Sequence, residues 1–115
     1  MQYSQKNKML AEKVSLYLRE NTDTRTTIAE LSDIFKVSPT PLKKIFREVY
    51  GIPVYKYAKQ QKMLSASEML SETDLTVTEI AGIYGYDNPS KFSSAFRNVM
   101  GISPTDYRKI HNRKS

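Results

Sequence analysis

The sequence predicts an all-α fold of about seven helices, in which two similar helical units are joined by a long linker helix. A segment from Thr27 to Tyr57 occurs again, with many of the same residue types, from Thr76 to Tyr107. Both copies open with the same helix-start signal, and the apolar residues follow the 3.6-residue period of a helix. No stretch shows the apolar–polar alternation of a half-buried strand.

The composition is typical of a globular protein of about one domain. The chain has 115 residues, of which 39% are hydrophobic and 26% are charged, and it has no Cys. Disulfides, thiolate catalysis and Cys-based zinc sites are therefore excluded. The formal charge of +6 favours a polyanionic partner: a nucleic acid, an acidic protein or an anionic membrane. Because no apolar run approaches the ~18 residues of a membrane span and no signal peptide is recognisable, we expect a cytoplasmic protein without a membrane partner.

The first helices of the chain and of each repeat have clear boundaries. The first helix is predicted over residues 6–20 and ends at Asn21. Its inward positions are Met9, Leu10, Val14 and Tyr17. Each repeat begins with a capping box, formed by Thr27 and Glu30 in the first copy and by Thr76 and Glu79 in the second. The short helices behind these boxes have inward positions at Ile28, Leu31, Ile34 and Phe35, and at Val77, Ile80, Ile83 and Tyr84.

A short turn follows each of these helices. The turns cover residues 36–38 and 85–88, and the extra residue of the second copy lies in its polar turn. Gly85 can supply a left-handed residue that ends the preceding helix. Val37 and Tyr86 are apolar residues in polar turns, so we expect them to attach the turns to the core.

A second helix begins after each turn and ends at a glycine, Gly51 or Gly101. The N-cap and first helical residues are Ser38 and Pro39, and Asn88 and Pro89. The buried positions, spaced as one helix face, are Leu42, Ile45, Phe46 and Val49, and Phe92, Ala95, Phe96 and Val99. The remaining faces carry Lys43, Lys44 and Arg47, and Lys91, Ser93, Ser94 and Arg97.

The linker helix is predicted from Val54 to about Ser71, and a cap-like pattern at residues 103–106 starts a closing helix. The inward candidates of the linker are Ala58, Gln61, Leu64, Met69 and Leu70. The polar tail from His111 to Ser115 is expected to fray.

Two short helices joined by a tight turn, the second with a polar and basic outer face, form a helix-turn-helix whose second helix fits the major groove of DNA. One helical hairpin with a solvated basic face would be weak evidence, but the pattern occurs twice. We predict helix-turn-helix subdomains over residues 6–52 and 73–111, a linker helix over 53–72 and a tail over 112–115. The linker would be roughly 27 Å long, and successive major-groove faces lie ~34 Å apart. Together with the half-width of the units it joins, a linker of this length could place both second helices in adjacent grooves, so a monomer could read an asymmetric site.

The outer faces of the second helices supply candidate DNA contacts. The base-contact candidates are Thr40, Lys43, Lys44, Ser90, Lys91 and Ser94. The phosphate-contact candidates are Lys36, Ser38, Arg47, Asn88 and Arg97, together with the amides at the starts of both helices. For each lysine the alternative is a contact to phosphate or water alone, since phosphate and sugar take about half to two-thirds of such hydrogen bonds.

Other chemistry-bearing residues indicate structure. Helical spacing favours core packing over base stacking for five aromatic residues: Phe35, Phe46, Tyr84, Phe92 and Phe96. Tyr107 is expected in the core because its repeat partner is Tyr57, and His111 is expected to be solvated. Glu30 and Glu79 serve as caps, and no paired carboxylates or nucleophile–base arrangement is present. We therefore predict no enzyme activity, no metal site and no cofactor.

The residues resemble a known family. The run GYDNPSKFSSAFRNVMGISPTDYRK, residues 85–109, is similar to the C-terminal signature of AraC/XylS transcription regulators, and LSDIFKVSPTPLKKIFREVYGIPVYKY, residues 31–57, resembles that family's first helix-turn-helix. The resemblance extends from about Met9 to Lys109. Departures are Lys62, where the family often has Arg, and Ser94, where many members have a longer side chain.

The resemblance implies a bacterial, all-helical domain that binds promoter DNA, usually as an activator that contacts RNA polymerase. Many members carry a separate ligand-sensing or dimerising domain, so the chain is expected to be an excised C-terminal portion; the alternative is a short stand-alone member. Two other functions remain open: a helical protein-interaction module whose charge keeps it in solution, and non-specific architectural DNA binding.

Overall fold

The computed structural model describes residues 4–112, which form seven α-helices and no strand. The helices are α1 Gln5–Glu20, α2 Ile28–Phe35, α3 Pro39–Tyr50, α4 Val54–Glu72, α5 Val77–Ile83, α6 Pro89–Met100 and α7 Pro104–His111. The predicted fold class is confirmed, while the last residues of the predicted tail, 113–115, lie outside the described residues. None of the seven helices in the described part is long and apolar enough to cross a membrane.

The chain divides into two compact units, and the boundary between Lys59 and Gln60 lies inside α4. Each unit has its own hydrophobic core. The first core consists of Ala11, Val14, Leu18, Leu31, Leu42, Phe46, Val54 and Tyr57. The second consists of Met63, Ala66, Leu70, Ile80, Ala81, Tyr84, Phe92 and Phe96.

The similarity of the two units extends to α1 and the second half of α4, which the sequence repeat did not include. In both helices the buried residues include a set at the spacing i, i+3, i+4 and i+7, to which the second half of α4 adds Ser71. These residues are Ala11, Val14, Ser15 and Leu18 in α1, and Met63, Ala66, Ser67 and Leu70 in α4. The same spacing puts the buried side chains on one face, so each unit begins with a helix that covers its core.

Local chemistry sets the helix boundaries as predicted. Thr27 Oγ1 accepts from the Glu30 N–H at 3.1 Å, and Glu30 Oε1 accepts from the Thr27 N–H at 3.1 Å. The second capping box has the corresponding distances of 3.0 and 2.8 Å. α3 and α6 end at Gly51 and Gly101, where φ is +80° and +88°. Both capping boxes and both glycine ends are therefore confirmed.

A polar network joins three helices within the first unit. Ser15 is buried in α1, and its hydroxyl lies 2.8 Å from the Tyr50 hydroxyl of α3. Arg19 Nη1 donates to Tyr57 OH at 3.0 Å and to Ser15 Oγ at 3.3 Å. The hydrogen bond that Arg19 donates to the Tyr57 hydroxyl raises the pKa of the guanidinium above its ordinary value. The buried Ser15 thus has its hydrogen-bonding needs met, as burial of a hydroxyl requires.

Four positions predicted to face inward are exposed instead, and these predictions were wrong. The exposed fractions are 47% for Met9, 45% for Ile34, 46% for Leu64 and 39% for Ile83. Met9 lies opposite the buried face of α1. It is seven residues, or about two turns, before the exposed Leu16, so both side chains lie on the outer side of the helix. Each of the other three lies roughly a quarter turn from the buried face of its helix. Only a narrow face of each helix is covered by its core, and apolar character alone did not distinguish the residues on that face from those beside it.

Arg108 of α7 attaches that helix to the C-terminal end of α4. Its Nε donates to the Leu70 carbonyl at 3.0 Å, and its Nη2 donates to the Thr73 carbonyl at 3.1 Å. Carbonyls at a helix end lack helical partners, so a cation that donates to them is favourable.

We expect Arg108→Ala to lower the free energy of unfolding by about 1.5–3 kcal/mol, the range for hydrogen bonds from a charged group. Arg108→Lys should lose less, because the ammonium can still reach one carbonyl. Urea unfolding followed by circular dichroism measures both variants. Equal midpoints for the wild type and Arg108→Ala would contradict this role.

Candidate nucleic-acid interface

The outer face of α3 carries a continuous polar and basic stripe. Four exposed residues follow the spacing i, i+3, i+4 and i+7, namely Thr40, Lys43, Lys44 and Arg47. The opposite face is buried through Leu42 and Phe46, which are 1% and 0% exposed. Because burial fixes the rotation of the helix about its axis, all four polar side chains face solvent on one side.

The outer face of α6 repeats this arrangement with fewer charges. Its exposed predicted residues are Ser90, Lys91, Ser94 and Arg97, and Phe92 and Phe96 are completely buried behind them. The structure adds Asn98, which is exposed and lies seven residues after Lys91 on the same stripe. The sequence analysis missed Asn98, although this spacing could have indicated it. The amide of Asn98 can both donate and accept hydrogen bonds.

The two helices begin differently. In α6, Asn88 Oδ1 accepts from the backbone N–H groups of Ser90 and Lys91 at 2.8 and 3.4 Å, so the predicted cap is confirmed. In α3, Ser38 occupies the N-cap position but its side chain makes no cap hydrogen bond. The first turn of α3 also includes Pro39 and Pro41, which have no N–H. The exposed Ser38 hydroxyl is therefore open to an outside acceptor or donor, whereas the Asn88 oxygen is engaged.

The turns before α3 and α6 are attached to their cores by one side chain each. Val37 packs against the first core and Tyr86 against the second, as predicted. The Tyr86 ring meets Phe92 edge-on at a centroid distance of 5.6 Å, and burial raises the pKa of the Tyr86 hydroxyl. Each turn is thus held in place directly before the helix that carries the exposed stripe.

All eleven predicted contact residues are exposed, and the structure groups them by unit. Lys36 and Ser38 lie in the turn before α3, and Asn88 lies before α6. The aromatic residues pack inside as predicted: Phe46, Tyr84, Phe92 and Phe96 are buried, and Phe35 packs against the first core.

Tyr107 and His111 lie together at the end of the described chain. Tyr107 packs against the second core and meets Phe96 at 5.5 Å, which supports the prediction that it is a core residue. His111 is exposed, and its ring stacks on Tyr107 at 4.2 Å. Within residues 4–112, no three acidic or His side chains converge as metal ligands would.

Comparisons with known proteins agree with this arrangement. A family model described as a helix-turn-helix domain matches residues 31–110. A putative AraC-like transcription regulator of Streptomyces lividans is 35% identical over 83 residues, which are 72% of this chain and 27% of the relative. The C-terminal domain of AraT, a response regulator from Geobacillus stearothermophilus, superposes with a TM-score of 0.84 at 28% identity, covering 92% of this chain and 88% of that one. The DNA-binding domain of AdpA, solved with a target DNA, has a TM-score of 0.78 at 25% identity, covering 87% and 90%.

Two matched helix-turn-helix units, each with an exposed polar stripe, define a helix-turn-helix DNA-binding protein. Within that class, the chain belongs to the AraC family of transcription regulators. The resemblance noted in the sequence is therefore confirmed. The chain spans about a third of the length of the first curated relatives, with 37%, 34% and 37% of their residues matched.

Proposed function

We propose that the chain binds double-stranded promoter DNA in a sequence-specific manner, with α3 and α6 in successive major grooves, and that it activates transcription. The carrying observation is the exposed stripe that occurs on the second helix of both helix-turn-helix units, each backed by a buried apolar face. An α-helix fits the major groove, where every base pair presents a distinct set of donors and acceptors. The complex of AdpA with a target DNA supports DNA as the ligand of this fold.

The exposed residues are suited to two kinds of contact. Lys43 and Lys44 can donate to guanine O6 and N7, and the hydroxyls of Thr40, Ser90 and Ser94 can contact either base type. Lys91 is proposed as the third lysine that contacts a base. The proposed phosphate contacts are Lys36, Ser38, Arg47, Asn88 and Arg97. These phosphate contacts would set the register, while base contacts would carry the specificity.

The proposal gives each part of the chain a role. Residues 6–52 and 73–111 act as the two DNA-reading subdomains, residues 53–72 link them, and the domain binds as a monomer to an asymmetric site. Activation would proceed through contact with RNA polymerase, in the bacterial cytoplasm, as the family resemblance implies. We assign the chain no catalytic role, because its exposed stripes offer donors and cations without a nucleophile–base pair.

The test is selection of bound duplexes from a random pool, followed by affinity measurements between about 50 and 200 mM salt. The phosphate candidates include three cations, Lys36, Arg47 and Arg97. At about −0.9 for each neutralised phosphate, the slope of log K against log salt concentration should be about −2.7 or steeper. A footprint on the selected duplex should extend over roughly two helical turns, because two grooves are occupied.

The alternatives give different results. A footprint over one groove segment that Lys43→Ala and Lys91→Ala leave unchanged would refute the two-helix proposal. Equal affinity for selected and random duplexes would indicate architectural binding instead. Selective association with a protein, combined with no preference among duplexes at physiological salt, would indicate a protein-interaction module.

A further inference from the structure

Lys36, at the end of α2, has an unusual backbone conformation. Its φ of 58° and ψ of 41° lie in the left-handed region, and among residues 4–112 it is the one non-glycine residue with positive φ. The second unit has Gly85 at the same repeat position, six residues after the capping-box Glu in both copies, with φ of +86°. The two units thus make the same turn with a lysine in one and a glycine in the other.

A glycine would satisfy this backbone conformation without strain. The left-handed region brings Cβ close to the following carbonyl, which is unfavourable for every residue except glycine and, to a smaller extent, Asn and Asp. Space does not require glycine at the second turn, because a Cβ added at Gly85 would meet nothing within 4 Å. The difference between the two turns is therefore conformational, and the first unit keeps a lysine where a glycine is more stable.

The first turn has an additional hydrogen bond that the second lacks. The Ser32 carbonyl accepts from the N–H groups of Lys36 and Val37, and the Ser32 hydroxyl donates to the Val37 carbonyl. At the equivalent position the second unit has Ala81, whose carbonyl accepts from the Tyr86 N–H at 2.9 Å but which has no hydroxyl. The Ser32 hydroxyl is thus present in the unit with the strained Lys36, and its hydrogen bond to Val37 stabilises the turn that contains Lys36.

Stability alone gives an incomplete account of Lys36. A cation near the C-terminus of α2 interacts favourably with the helix dipole. The free energy gained from this interaction is smaller than the free-energy cost of the left-handed conformation. The side chain is exposed, and it lies two residues before Ser38, the N-cap of α3. In the proposed complex α3 occupies the major groove, so the turn before it lies beside the phosphates that border the groove.

We propose that Lys36 is a DNA-backbone contact that the first unit retains despite conformational strain, and that the Ser32 hydroxyl holds the turn in the conformation that presents it. This inference rests on the proposed DNA binding, and it adds Ser32 as a residue that positions Lys36 for that binding. It makes the two units unequal: the first has a cation in the turn before its DNA-reading helix, and the second has a glycine.

The test compares Lys36→Gly and Lys36→Arg with Lys13→Ala, which removes an exposed charge on α1 outside the proposed interface. Lys36→Gly should raise the melting temperature by about 2–6 °C, because the strain is relieved. It should also weaken binding to selected and random duplexes alike, and reduce the salt slope by about 0.9. Lys36→Arg should keep the wild-type slope, and so should Lys13→Ala. Ser32→Ala should lower the melting temperature more in the wild-type background than in the Lys36→Gly background.

Opposite changes in stability and affinity would support the proposal. Unchanged affinity and slope for Lys36→Gly would overturn the contact, and an unchanged or lower melting temperature would overturn the strain. A slope change of the same size in Lys13→Ala would overturn the assignment to this turn. These failures are distinct from failure of the proposed function, which would appear as a wild type with no preference among duplexes.

Discussion

Replacing Phe96 with Ala is expected to lower the free energy of unfolding of the second unit by about 3–5 kcal/mol, the largest stability effect that we predict. Phe96 is completely buried, and its ring meets Phe92 at 5.9 Å and Tyr107 at 5.5 Å. Truncation removes these contacts and leaves a cavity that the surrounding helices fill only in part. Small domains have total stabilities of about 5 kcal/mol or slightly more, so this loss should leave the second unit largely unfolded.

The measurement is an amide NMR spectrum combined with urea unfolding. Resonances from α5 to α7 should lose their dispersion, while those of α2 and α3 persist, because the first core includes no residue of α5, α6 or α7. Ile83→Ala is the matched control, since Ile83 lies in the same unit but is 39% exposed. It should cost less than about 1 kcal/mol. Comparable losses in both variants would contradict the assignment of Phe96 to the core.

Removing the two adjacent lysines of α3 is expected to have the largest effect on DNA recognition. Lys43→Ala and Lys44→Ala should each weaken binding to the selected duplex by about 1–3 kcal/mol, roughly 5- to 150-fold, if the lysine contacts a base. Both side chains are exposed, so folding should be nearly unaffected, with stability changes within about 0.5 kcal/mol. Lys91→Ala tests the equivalent contact in α6.

The form of the loss identifies the contact. A base contact relaxes the preference at one base pair, whereas a phosphate contact weakens binding to all sequences and reduces the salt slope by about 1. Fluorescence anisotropy with the selected duplex and with single-base-pair variants distinguishes the two cases. Lys8→Ala, an exposed lysine on α1, is the control for loss of charge. If it weakened binding as strongly as the α3 variants do, general electrostatics would account for the effect.

The sequence predicted those features of the fold that depend on neighbouring residues. The start of α2 follows from a Thr and a Glu three residues apart, and the end of α6 follows from Gly101. Such signals act within one helical turn, so the interacting residues are close together in the sequence and can be recognised from it. The buried faces of α3 and α6 could also be predicted, because large apolar residues recur there four residues apart, Leu42 and Phe46 in α3 and Phe92 and Phe96 in α6.

Contacts between distant segments could not be predicted in this way. Arg108 donates to the Leu70 carbonyl across 38 residues, and Ser15 pairs with Tyr50 across 35. The exposure of Ile34 and Ile83 depends on which neighbouring helix covers each face, and hydrophobic character does not contain that information. For the interface, all eleven residues that the sequence indicated are exposed within their own units, and their contacts with DNA stay predictions.

The outward stripes of α3 and α6 share no residue with either core. Mutations at these positions can therefore accumulate almost without penalty to folding, each changing stability by no more than about 0.5 kcal/mol. Under the proposed function, evolution or an engineer could retarget the domain to a new operator by changing a few outward side chains on an unaltered scaffold. Such retargeting would then be limited by how well the new side chains discriminate between bases, and not by the stability of the fold.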